Sequence, residues 1–131
     1  MKPIHESGKR KKAIARATVK TGKGQLRVNN LAIEQYQPEI AKSRIQEPMI
    51  LAKEYVGKLD VDVNVNGGGI MGQADAARLA IGRALVKYNA KLKQVFLDYD
   101  RQLLVADVRR KEVSKPNSQG QARAKRQKSY R

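Results

Sequence analysis

Apolar and polar residues alternate over residues 12–20: Ala13, Ala15, Ala17 and Val19 share one face, and Ile14, Arg16, Thr18 and Lys20 share the other. A period of two predicts a strand with one face buried. Thr21-Gly22-Lys23-Gly24 carries a turn signal, and Leu26 and Val28 resume the alternation, so the two runs predict a β-hairpin. Over 38–56 the period changes. Ile45, Met49, Ala52 and Val56 recur at steps of four, three and four, which is helical spacing. Pro48 has no N–H to give to a helix interior, so a break or a fresh first turn is expected there, and Gly57 is expected to end the helix.

Leu59–Asn66 is the clearest strand, with Val61, Val63 and Val65 on one side and Asp62, Asn64 and Asn66 on the other. One buried face suits a sheet covered by helices on a single side. Gly67, Gly68 and Gly69 follow, and then a long helix to about Asn89. On a helical wheel Ile70, Ala74, Ala77, Ala84, Leu85 and Tyr88 fall within about 60° of Ile81 and form a core stripe. The opposite side carries Gly72, Ala76, Leu79 and Arg83, where small residues would let a helix or a nucleic-acid backbone come close. Residues 91–98 predict a short helix, and 103–106 a last strand. The order ββ, α, β, α, a short element and β gives an α+β fold, a small mixed sheet with helices packed on one face.

Charge changes this picture at both ends. The chain has 131 residues and a formal net charge of +16. Residues 1–24 contribute +7 and residues 109–131 contribute +8, leaving +1 for the 84 between. Three parts are expected: a flexible N-terminal segment over 1–8, an α+β domain over 9–108 and an extended basic C-terminal tail over 109–131. The tail holds few apolar residues and cannot offset the entropy of ordering it, so it is expected to stay disordered until a partner holds it. Fully extended, it would reach about 80 Å. Such ends repel themselves unless an anion neutralises them, and nucleic acid is the natural anion. A membrane surface fits less well, because the basic ends lack the Trp, Phe and Leu of an interfacial helix.

Other chemistry is thinly represented. There is no Cys and one His, His5, which excludes a disulfide scaffold, a thiolate or multi-His metal site and a His-based triad. No apolar run is long enough for a membrane span or a secretory signal, so a soluble intracellular protein without a cofactor is expected. Gly67-Gly68-Gly69-Ile70-Met71-Gly72 satisfies the dinucleotide-binding pattern G-x-G-x-x-G. The preceding strand alternates, however, whereas a first Rossmann strand is buried on both faces, and too little chain follows for a second βα unit. A tight turn using positive φ is the simpler reading, and amides at the helix start could still hold a phosphate of a larger polymer. Asp60 with Asp62, and Asp98 with Asp100, read as surface or salt-bridge groups. Three functions compete: a structural RNA-binding protein, a chromatin-like DNA binder and a nucleotide-dependent enzyme.

Three separated stretches carry a family resemblance. They are Gly8-Lys9-Arg10-Lys11-Lys12-Ala13-Ile14-Ala15-Arg16-Ala17, the glycine-led helix over 67–85 with Gln73 and Arg83 in place, and Asp107-Val108-Arg109-Arg110-Lys111-Glu112 with the basic tail beyond it. Together they resemble the ninth protein of the small ribosomal subunit in its universal form. The ending Lys128-Ser129-Tyr130-Arg131 is similar to its archaeal and eukaryotic branch. The resemblance implies an α+β fold like the second domain of the fifth small-subunit protein. It also implies a place in the subunit head beside other head proteins, on the 3′ major domain of the rRNA, in ribosomes of the cytoplasm. rRNA contact is implied for Lys9, Arg10, Lys11, Lys12, Arg16, Arg83, Arg109, Arg110, Lys111, Lys115, Arg123, Lys125 and Arg126. Contact with the anticodon stem-loop of the peptidyl-site tRNA is implied for Lys128, Tyr130 and Arg131.

Overall fold

Residues 2–109 are described by a computed structural model. Five strands form one sheet: β1 (Ile4–Arg10), β2 (Ala13–Thr21), β3 (Leu26–Val28), β4 (Leu31–Ala32) and β5 (Leu59–Asn66), in the spatial order β1-β2-β5-β3-β4. The sheet is mixed, because β3 runs parallel to β5 while the other pairs are antiparallel. The helices are α1 (Glu39–Leu51), α2 (Lys53–Val56), α3 (Ile70–Tyr88) and α4 (Leu92–Tyr99). Single 3₁₀ turns follow β4, at Ile33–Gln35, and α4, at Arg101–Leu103.

The core lies between α3 and one face of the sheet. Ala13, Ala15, Ala17 and Val19 of β2 and Leu59, Val61, Val63 and Val65 of β5 are all buried, as their alternation requires. Against them lie Ala74, Ala77, Ile81, Ala84 and Leu85 of α3, with Ile45 of α1 and Phe96 of α4 closing the sides. The opposite sheet face keeps Lys9, Arg16, Lys20, Asn64 and Asn66 exposed. A sheet with helices on one side and water on the other is the α+β layering the sequence predicts.

Several expectations change in detail. The predicted hairpin of residues 12–28 does not form. Strand β5 inserts between β2 and β3 and bonds both, so β3 and β5 are joined by a crossover through α1 and α2. Asp60 holds the linking turn open, its Oδ1 accepting from the amides of Lys23 at 2.9 Å and Gln25 at 3.1 Å. The Asn29 side chain then extends the β3–β5 ladder: Val65 donates its amide to Asn29 Oδ1 at 2.8 Å.

The true hairpin is β1–β2. Arg10 pairs with Ala13 across the two-residue turn Lys11-Lys12, with Lys11 at φ 54°. Residues 4–8, expected to be flexible, therefore belong to a strand. Its inward positions are Ile4, Glu6, Gly8 and Arg10. Gly8 is buried on α3, and Glu6 and Arg10 reach Lys87 and Asp75 of α3, so the inner face shows no apolar alternation.

Helix α1 runs through Pro48, whose ring is buried, and breaks at Ala52 instead. The small-residue side of α3 is covered by the chain's own backbone: Ala76, Leu79 and Ala80 are buried under β1. Residues 103–106 form no strand. Leu103 ends the 3₁₀ turn and is fully buried, and the Leu104 carbonyl is bonded by a side chain rather than a ladder. The expected tail lies, beyond Arg109, outside the described residues.

Candidate nucleic-acid interface

The glycine loop sits beneath the β1–β2 turn. Gly67 and Gly68 have φ of +77° and +69°, and a Cβ on Gly67 would stand 2.8 Å from the Lys12 carbonyl oxygen. Positive φ and this close approach are what the glycines supply. Gln73, one turn into α3, donates from Nε2 to the Gly67 carbonyl at 3.1 Å and fastens the loop. Gly69 and Gly72 need no positive φ, and a Cβ on either would meet only open space or ordinary contact, so the packing roles of the loop fall to Gly67 and Gly68. They also place Lys11 and Lys12 at the N-terminal end of a 19-residue helix, whose dipole adds positive potential there.

The predicted basic residues divide into two kinds. Lys9, Lys11, Lys12 and Arg16 are exposed and make no ion pair among the described residues. Lys9 and Arg16 stand on the open sheet face, and Lys11 and Lys12 at the turn. Arg10 and Arg83 are engaged internally. Arg10 meets Asp107, and its Nε lies 3.7 Å from Asp75. Arg83 donates from Nε to the Leu104 carbonyl at 3.1 Å and from Nη1 to the Ser7 carbonyl at 3.0 Å. Arg109 is exposed and donates from Nη2 to Asp107 at 2.7 Å. Arg110, Lys111, Lys115, Arg123, Lys125, Arg126, Lys128, Tyr130 and Arg131 lie outside the described residues.

Beside the basic turn is a charged groove of about 350 Å³ that the sequence did not announce. In it Arg44 donates to Asp75 at 2.8 Å, and Arg78 pairs with Glu47 at 2.6 Å and Asp100 at 3.0 Å. Burial opposes ionisation of Asp100, but the Gln102 amide and the Arg78 guanidinium outweigh it and hold its carboxyl below the usual range. The steps Arg44 to Glu47 and Asp75 to Arg78 are each i, i+3 on a helix, the one available sequence signal. That two helices would face each other with these pairs was not visible.

Cations displayed around a hairpin turn and on an open sheet face, beside a groove lined by Glu47, Asp75, Asp100 and Asp107, define an α+β protein with a basic surface, the kind of surface that attracts polyanions. Comparison with known proteins narrows the class. The family described as Ribosomal protein S9/S16 matches residues 8–131. The chain is 50% identical over 134 residues to the small ribosomal subunit protein uS9 of Methanococcus vannielii. It is 51% identical, over 134 and 133 residues, to the uS9 proteins of Methanococcus maripaludis strain C7 and Methanothrix thermoacetophila. In each comparison both chains are covered in full. The chain belongs to the ribosomal protein S9/S16 family, and the archaeal relatives agree with the branch its ending suggested.

Proposed function

We infer that this protein, a structural constituent of the small ribosomal subunit, binds subunit rRNA through the β1–β2 turn and the open sheet face. The observation that carries this reading is the exposure of Lys9, Lys11, Lys12 and Arg16 without an acidic partner among the described residues. Unpaired cations on a rigid hairpin release counterions from phosphates at small cost in conformational entropy. Arg10 and Arg83 brace that surface from behind. The RNA is the 3′ major domain in the subunit head, among other head proteins of a cytoplasmic ribosome. Residues 109–131 add a second set of phosphate contacts through Arg110, Lys111, Lys115, Arg123, Lys125 and Arg126, and Lys128, Tyr130 and Arg131 reach the peptidyl-site tRNA.

Binding of an rRNA fragment from that domain, titrated across salt concentrations, tests the reading. Replacing Lys9, Lys11 and Lys12 together by Ala should flatten the slope of log affinity against log salt by about 2 to 3, at roughly 0.7–0.9 per lost phosphate contact. An unchanged slope would place the RNA elsewhere. Removing Arg131 alone should leave rRNA affinity nearly intact and weaken tRNA retention in the peptidyl site of assembled subunits. Unaltered retention would end the proposed tRNA contact.

A further inference from the structure

We infer that Asp107 is a positioning residue that holds the root of the C-terminal segment against the β1–β2 turn, so that the two cationic stretches present one surface to RNA. This rests on the RNA-binding reading above.

The path of the chain after α4 leads to it. Leu103 is fully buried, and its carbonyl oxygen packs so close to Gly82 that a Cβ there would approach to 2.5 Å. Arg83 then ties the Leu104 carbonyl to the Ser7 carbonyl in the middle of β1. Three residues on, the Asp107 carboxylate faces two guanidiniums at once. One is Arg10, the last residue of β1. The other is Arg109, which donates its backbone amide to Asp107 Oδ1 at 2.8 Å and Nη2 to Oδ2 at 2.7 Å. A single anion thus joins Arg10, inside the first basic stretch, to Arg109 at the start of the second. Arg10 also lies near Asp75, which Arg44 of α1 holds, so the junction is braced on the helices.

Hydrophobic packing does not demand this arrangement. Among the described residues the last buried core residue is Leu103, and Val108 is 88% exposed, yet the Asp107 side chain is only 7% exposed. The groups that meet its carboxylate are the guanidiniums of Arg10 and Arg109. Without the carboxylate, Arg10 and Arg109 would repel, and the chain would leave the body in no fixed direction. With it, phosphate contact at the turn brings the C-terminal cations to the same RNA at raised effective concentration.

The chain has no Cys, so paired labels can be placed cleanly. Spin labels at Lys93→Cys, exposed on α4, and Val108→Cys report the direction of the segment in the full-length free protein. A single narrow distance peak is expected with Asp107 and with Asp107→Glu. Asp107→Asn, Asp107→Arg and, from the other side of the contact, Arg10→Gln should each lose it. RNA binding supplies a readout of opposite sign to simple charge. Asp107→Asn and Asp107→Arg raise the net charge, so bulk electrostatics would tighten binding, whereas lost positioning should weaken it about tenfold. Peaks as narrow in Asp107→Asn and Asp107→Arg as in the parent would overturn the positioning role. A parent protein that fails to bind the rRNA would instead overturn the RNA-binding reading, whatever the peaks show.

Discussion

Single residues show most directly how little room this fold leaves. A Cβ on Gly8 would stand 2.5 Å from the Ala76 carbonyl oxygen and 2.8 Å from the Ala80 amide nitrogen, both backbone atoms of α3 that cannot turn aside. Gly8→Ala should therefore cost about 2–3 kcal/mol by denaturant unfolding, in the range of forced overpacking. Asp60 invites a test by pH. The amides of Gln25 and Lys23 hold its carboxyl below the ordinary value of 3.8. Because the folded value is the lower one, its stabilisation is complete above the unfolded value and is lost as pH falls through the folded one. Asp60→Asn should make the melting temperature less sensitive to pH below about 4, which a thermal melt series would show. The sequence read Asp60, with Asp62, as a surface or salt-bridge group. What it could not show is that the turn holding Lys23 and Gln25 folds back over that face.

At the scale of elements, regular apolar periods gave reliable boundaries. Strand β5 occupies the predicted Leu59–Asn66, and α3 starts directly after the three glycines. Elements stabilised by polar contacts were the ones missed. Strand β1 buries Gly8 and pairs Glu6 and Arg10 with α3, so no apolar alternation marks it, and Lys11-Lys12 carries none of the usual Asn-Gly or Asp-Gly turn signal. The segment after Leu103 read as a strand because Leu103, Leu104 and Val105 are apolar. Arg83 takes up its backbone acceptor instead, which leaves no ladder to form. Arg83→Lys keeps the charge but loses the two-carbonyl fork. It should speed amide exchange over residues 103–107 and cost about 1–3 kcal/mol locally, while the amides of β5 keep their protection.

The whole molecule is a balance between a packed body and unneutralised charge. Ending the chain after Arg109 lowers the net charge from +16 to +9 and keeps every core residue found among the described residues. The truncated protein should keep its cooperative thermal transition, and its melting temperature should rise less steeply with added salt than that of the full chain. An rRNA fragment at 100 times its dissociation constant should stabilise the full chain by about 2.7 kcal/mol, read as a shift in melting temperature. A stabilisation that survives in molar salt would mean that contacts other than phosphate pairing dominate the complex.

Composition and periodicity by themselves determined the one-faced sheet, the main helix and the attraction to a polyanion, because burial of one face and net charge are properties of residue order and count. They also carried the motifs by which the family is known. Only the tertiary structure decided which strands are neighbours, which arginines face water and which face carboxylates, and that Arg10 and Arg109 share one anion. Those outcomes depend on contacts between residues distant in the chain, such as Arg10 with Asp107 and Arg83 with Ser7. A local pattern holds no record of such distances, so the sorting of equal charges into internally paired and exposed ones is made only when the chain closes on itself.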